Sequence, residues 1–155
     1  MRVHIGGDHA SYELHRHLVT WLTEQGHEVV DHGPLEYDPA DDFPSFVLRA
    51  AEAVAADPDS LGIVMGGSGN GEQMAANKVK GVRAALAWDT EVASLAREHN
   101  DARIISVGAR MHPLEEAQSI VEAFLGASFS GDERHRRRIA MIDAYEADRT
   151  LPPLP

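Results

Sequence analysis

The run Gly66-Gly67-Ser68-Gly69-Asn70-Gly71-Glu72 joins closely approachable backbone amides to a carboxylate. It follows an apolar strand and ends where a helix begins. Glycine lets the chain approach a ligand, and successive N–H groups at a helix start favour negative charge. Glu72 has two readings here: a partner of the helix dipole, or a base built into an anion cradle. Two nucleotide motifs fail on spacing. A Walker A loop needs Lys and then Ser or Thr after its last glycine, whereas Gly71 is followed by Glu72 and Gln73. A dinucleotide fingerprint begun at Gly67 needs glycine or alanine where Glu72 stands. A phosphorylated or enolising small molecule suits the loop better than a nucleotide.

A second anion-binding element lies far along the chain. Of fourteen basic residues, four are arginines within Arg134-His135-Arg136-Arg137-Arg138. Arg134 and Arg138, at i and i+4, share a helix face, and guanidinium forks match phosphate geometry. The bland reading of such a block is a solvated arginine run. The overall formal charge of −11 argues against nucleic acid or an anionic membrane as a partner of the whole surface. Cysteine is absent, which excludes disulfides, thiolate metal sites and cysteine nucleophiles. No segment approaches the roughly 20 apolar residues of a membrane span, nor does the N-terminus read as a secretory signal. A soluble cytoplasmic protein is the simplest expectation.

The elements that must position these residues follow from periodicity. Strands are predicted at Arg2–Gly6, Glu28–Asp31, Leu61–Met65, Arg83–Trp88 and Arg103–Val107. Between and after them lie helices carrying Leu14, Leu18 and Leu22, then Ser45–Ala56, Glu72–Val79, Thr90–Glu98, Pro113 to about Leu125, and Asp132 or Glu133 to about Tyr145. The alternation predicts a three-layer α/β/α, Rossmann-like fold with a five-stranded parallel sheet covered on both faces. One domain is expected over residues 1–148, with 149–155 as a flexible proline-rich tail. Ligands bind at the carboxyl ends of the strands of such a sheet. Asp8-His9, Gly66–Glu72, Asp89 and Gly108-Ala109-Arg110 therefore converge on one edge.

Gly7-Asp8-His9-Ala10, Gly67–Glu72 with Ala75-Ala76-Asn77-Lys78, and Glu98-His99-Asn100 follow one another in an order that resembles the type B ribose-5-phosphate isomerases of the RpiB/LacAB sugar-phosphate isomerase family. The resemblance spans Met1 to about Glu146. It implies interconversion of ribose 5-phosphate and ribulose 5-phosphate, a step of the pentose phosphate pathway, through an enediolate and without metal or organic cofactor. It also implies a homodimer, with tetramers as a further option, whose sites combine residues of both subunits.

One branch of the family uses a cysteine at the start of the glycine loop as base, and another a glutamate at its end. Gly66 stands at the cysteine position, so Glu72 is assigned as the base. A partly shielded carboxylate with a raised pKa suits that task. The resemblance further implies that Ser68 bonds the reacting oxygens while Gly67, Gly69, Asn70 and Gly71 present amides to the enediolate. His99, Asp8 and Asn100 would serve ring opening and the sugar hydroxyls, with His99 and Asn100 reaching the partner's site. His9, Arg110, Arg134, His135 and Arg138 would hold the phosphate. Arg136 and Arg137 are expected to face elsewhere, and His4, His15, His17, His27, His32 and His112 to be structural or surface residues. Phe43 stands where the glutamate branch often has tyrosine, so it can pack on substrate without a phenolic hydrogen bond. That difference keeps open an allose, galactose or four-carbon sugar phosphate as substrate. A non-catalytic sugar-phosphate sensor is the alternative from another class.

Overall fold

The computed structural model describes residues 1–154. Five strands form one parallel sheet in the order β2-β1-β3-β5-β4, with β1 at Arg2–Gly7, β2 at Glu28–Asp31, β3 at Ser60–Gly66, β4 at Ala84–Leu86 and β5 at Ile104–Gly108. Six helices accompany them: α1 (Tyr12–Glu24), α2 (Pro44–Ala56), α3 (Asn70–Ala76), α4 (Thr90–Asn100), α5 (Leu114–Gly126) and α6 (Glu133–Asp148).

Strand alternation divides the core. Ile63, Met65, Ile105 and Val107 face α1, α4 and α5, where Leu14, Leu18, Leu22, Ile120 and Phe124 close over them. The intervening Val64 and Ile104 face α2 and α3, against Val47, Ala50, Val54 and Ala76. The central β3 is buried at all seven positions, as expected of a strand covered on both faces. Three layers result. The helix α6 lies outside them: of its sixteen residues only His135 is buried.

Several boundaries differ from the periodicity. The helix predicted at Glu72–Val79 runs from Asn70 to Ala76, because Gly69 takes a left-handed conformation (φ 82°) as its N-cap. It ends where the Asn77 side chain bonds Gln73 O at 2.9 Å and both backbone groups of Ala84, at 2.8 and 2.9 Å, tying the helix end to β4. The strand predicted at Arg83–Trp88 shortens to Ala84–Leu86, since it lies at the sheet edge and pairs only with β5. The last helix extends three residues past Tyr145. Of the expected tail, Leu151–Pro153 fold back along α6 and, with Arg137, Ala140 and Met141, line a cavity of about 310 Å³. Pro155 lies outside the described residues. Among the described residues no helix is long and apolar enough to cross a membrane.

Candidate active site

The chain passes from β1 to β2 on one side and then places β3 on the other, so the topological switch lies between β1 and β3. Loops leaving two such strands diverge and open a crevice. The β1 loop begins with Asp8, 8% exposed, whose side chain accepts from Ala10 N at 3.0 Å and caps a single 3-10 turn. Ser11 Oγ donates to Met65 O at 3.1 Å, fixing this turn to β3.

The glycine loop leaves β3 beside it. Ser106 Oγ, fully buried in β5, donates to Gly69 O at 2.7 Å and anchors the loop from beneath. Glu72 is the third residue of α3, and its side chain turns back beneath the loop to lie against Gly66, with only 4% of the residue exposed. Burial pushes its carboxyl above the ordinary 4.5, and the charge of Asp8 adds to that, while the N–H groups of Glu72 and Gly69 oppose it. Asn70 N donates to Ser68 Oγ at 3.4 Å, and Asn70 Nδ2 to the same oxygen at 3.2 Å. Among the described residues the amides of Gly67, Ser68 and Gly71 donate no hydrogen bond.

Phe43 covers the far side of the loop, its ring so close that a Cβ on Gly71 would come 2.8 Å from Cζ. Arg110 approaches from the β5 end: its backbone N donates to Gly67 O at 3.0 Å, and its side chain lies over Gly67. It forms no ion pair among the described residues. His9 bonds Asp41 twice, through its backbone N at 2.9 Å and Nδ1 at 2.7 Å, both to Oδ1. The Asp41 bond raises the His9 pKa above its ordinary value, against some burial. His9, Arg110 and His112 line a cavity of about 770 Å³ that opens beside the loop. Asp8, His9 and Asp41 present ligand atoms within 4.8 Å of one another, the one such group among the described residues compact enough for a metal.

The remaining predicted residues gather elsewhere. As the crossover between two parallel strands, α4 starts at the carboxyl edge and runs back to the amino edge. The Asn100 carbonyl, at its end, accepts from Arg83 Nε at 2.8 Å, immediately before β4. The His99 and His135 rings meet at a tilt of 36° with centroids 4.3 Å apart. His135 Nδ1 is 2.9 Å from Ser130 Oγ. Its pKa is lowered by burial and then by His99, with Arg134 and Arg138 adding to the effect and Asp132 opposing it. Arg134 and Arg138 form no side-chain ion pair or hydrogen bond among the described residues. Arg137 pairs with Glu133 at 3.3 Å, and Arg136 Nε donates to Gly131 O at 2.7 Å. Within one chain the predicted site residues thus form two groups: Asp8, His9, Phe43, the glycine loop, Glu72 and Arg110 at the carboxyl edge, and His99, Asn100, Arg134, His135 and Arg138 beyond the amino edge.

Sequence reasoning did not single out Asp41, the partner of His9. Its signal was the acidic pair Asp41-Asp42 ahead of Phe43-Pro44, in a loop whose docking against His9 no periodicity reveals. Of the other histidines, His15 bonds Asp31 at 2.8 Å and His17 bonds Gln118 at 2.7 Å.

A parallel sheet that presents a desolvated carboxylate, unpaired loop amides and basic side chains at its switch point is suited to a small anionic ligand. The family model described as Ribose/Galactose Isomerase matches residues 3–142. The chain belongs to that family, and it is an isomerase. It is 53% identical over 155 residues to the ribose-5-phosphate isomerase B of Mycobacterium tuberculosis, covering 100% of this chain and 96% of that one. Its identity to the Escherichia coli ribose-5-phosphate isomerase B is 37% over 148 residues, 96% of this chain and 98% of the other. Among solved structures, the Mycoplasma genitalium ribose-5-phosphate isomerase B with bound ribulose-5-phosphate matches with a TM-score of 0.91 at 40% identity, covering 95% of this chain and 97% of that one. The Clostridium thermocellum ribose-5-phosphate isomerase B matches with the same TM-score and identity over 97% and 100%.

Proposed function

We propose that this chain interconverts D-ribose 5-phosphate and D-ribulose 5-phosphate, in the pentose phosphate pathway, with Glu72 as the base. The observation that carries the reading is the Glu72 carboxylate, 4% exposed and raised in pKa, beside unpaired amides at the sheet's switch point. Likeness to relatives named for this reaction supports the substrate.

In the open-chain aldose the carboxylate takes the proton from C2, leaving an enediolate whose charge lies on O1 and moves to O2 as the O2 proton passes to O1. The amides of Gly67, Ser68 and Gly71, with the Ser68 hydroxyl, donate to those oxygens. Donors fixed before charge develops cost no reorganisation when it appears. Neutral Glu72 then returns its proton to C1, giving the ketose. A carboxyl whose pKa approaches the working pH serves both transfers.

The separation of the two residue groups favours sites shared between subunits of a homodimer. His99 and Asn100 would reach from one protomer to the Asp8 and Glu72 of the other, where His99 and Asp8 open the sugar ring. Arg134, His135 and Arg138 would meet Arg110 and His9 around the phosphate. The exposure of Met141, Ile142 and Tyr145 on α6, at 38%, 57% and 41%, supports a partner on that helix. A cytoplasmic location accords with this metabolic role.

Turnover across a panel of phosphorylated aldoses tests the substrate. Highest kcat/KM with ribose 5-phosphate is expected, and activity confined to a six- or four-carbon sugar phosphate would overturn it.

A further inference from the structure

We propose that Asp41 is the positioning residue of the phosphate end of the site, holding the His9 imidazole with Nδ1 turned inward so that Nε2 is the nitrogen offered to the phosphate. The inference rests on the isomerase reading above and adds to it a residue that touches neither the sugar nor the reacting carbons.

Three features of the contact carry it. First, one oxygen of Asp41 takes both N–H groups of the same residue, the backbone N at 2.9 Å and Nδ1 at 2.7 Å, which fixes ring orientation and backbone together. With Nδ1 committed as the donor to a carboxylate, Nε2 is the only ring nitrogen left for a ligand. Second, the Asp41 side chain is 9% exposed, and its other oxygen, Oδ2, is buried without a hydrogen-bond partner. A carboxylate so far removed from water needs a counter-charge, and His9 is the basic group it contacts. Third, Asp41 lies two residues before Phe43, whose ring packs on Gly71. One contact therefore ties the β1 loop to the segment that covers the glycine loop.

The charge on His9 is set by groups on every side. Asp41 faces it from the loop before α2 and Asp8 from its own turn, both favouring the imidazolium, while Arg110 opposes it from the β5–α5 loop. The Tyr37 ring stands edge-on at 6.5 Å, and Glu13 and His112 line the same cavity. The balance raises the His9 pKa. A protonated ring held this way donates from Nε2 to a phosphate oxygen, whereas a neutral ring with Nδ1–H would offer only a lone pair.

The test combines nitrogen-detected NMR titration of His9 with kinetics of Asp41→Asn. In the wild-type protein His9 should titrate above the ordinary histidine value and, when neutral, carry its proton on Nδ1. Inorganic phosphate should shift its Nε2 resonance. Asp41→Asn should lower the His9 pKa and raise KM for the sugar phosphate by about tenfold at neutral pH, with a smaller change in kcat. Adding the substitution to His9→Asn should cost little more, because the two act through one ring. The proposal is overturned by a neutral ring protonated on Nε2, by a His9 titration that Asp41→Asn leaves unmoved, by additive effects of the two substitutions, or by a stoichiometric divalent cation on Asp8, His9 and Asp41. The wild-type titration decides the matter even if Asp41→Asn fails to fold. Because the phosphate titration requires no turnover, a chain that isomerises a different sugar phosphate would refute the substrate assignment and leave this one standing.

Discussion

A side chain at residue 66 and the carboxylate of Glu72 occupy the same space: a Cβ built on Gly66 overlaps Oε1 and Cδ of Glu72 and comes 3.0 Å from Oε2. The resemblance assigns the base of one branch of the family to the first of these positions and the base of the other to the second. In this fold the two are alternatives, because the glutamate needs the volume that the cysteine would fill.

Gly66→Ala should therefore displace the Glu72 carboxylate while leaving the phosphate end intact. Loss of kcat on the order of a hundredfold is expected with KM little changed, as when only a transition-state interaction is removed. Steady-state kinetics measures it, and wild-type kcat in the folded variant would show that Glu72 need not lie against Gly66.

The raised pKa of Glu72 has a stability consequence with a definite sign. Between its ordinary value of 4.5 and its higher folded-state value, the native protein holds a proton that the unfolded chain has lost. Stability from this group is thus full at pH below 4.5 and is lost as pH rises through the folded value. Glu72→Gln, neutral at every pH, should be more stable than wild type at about pH 8 and lose that advantage toward about pH 5. Thermal unfolding at the two pH values checks this, and an advantage that grows as pH falls would contradict it.

Much of the fold was legible in the sequence, and with it where the candidate site residues fall within one chain. Alternating strands and helices predicted the sheet, and the sheet predicts where Asp8, Gly66–Glu72 and Arg110 converge. The start of α3 at Asn70 was hidden because Gly69 enters the left-handed region, which glycine permits without demanding. That Glu72 lies back against Gly66 was hidden as well, because it depends on the rotamer of the side chain. Asp41 was missed because long polar loops carry no period. His99 and Arg138 are distant from Glu72 in the fold, and residue types cannot reveal which subunit's site they serve.

That distance is testable by complementation. An inactive Glu72→Gln protein mixed with an inactive His99→Asn protein under verified subunit exchange should recover a fraction of wild-type activity, since a mixed dimer would hold one intact site. No recovery would mean that His99 acts within its own protomer or is not required.

The role of Glu72 is most directly measured by loss of deuterium from C2-deuterated ribose 5-phosphate on Glu72→Gln at saturating substrate, with binding followed separately by calorimetry. Substrate affinity within a fewfold of wild type, together with near-complete loss of both isomerisation and deuterium exchange, is the expected result. Exchange at the wild-type rate would contradict the assignment of Glu72 as the group that carries the proton.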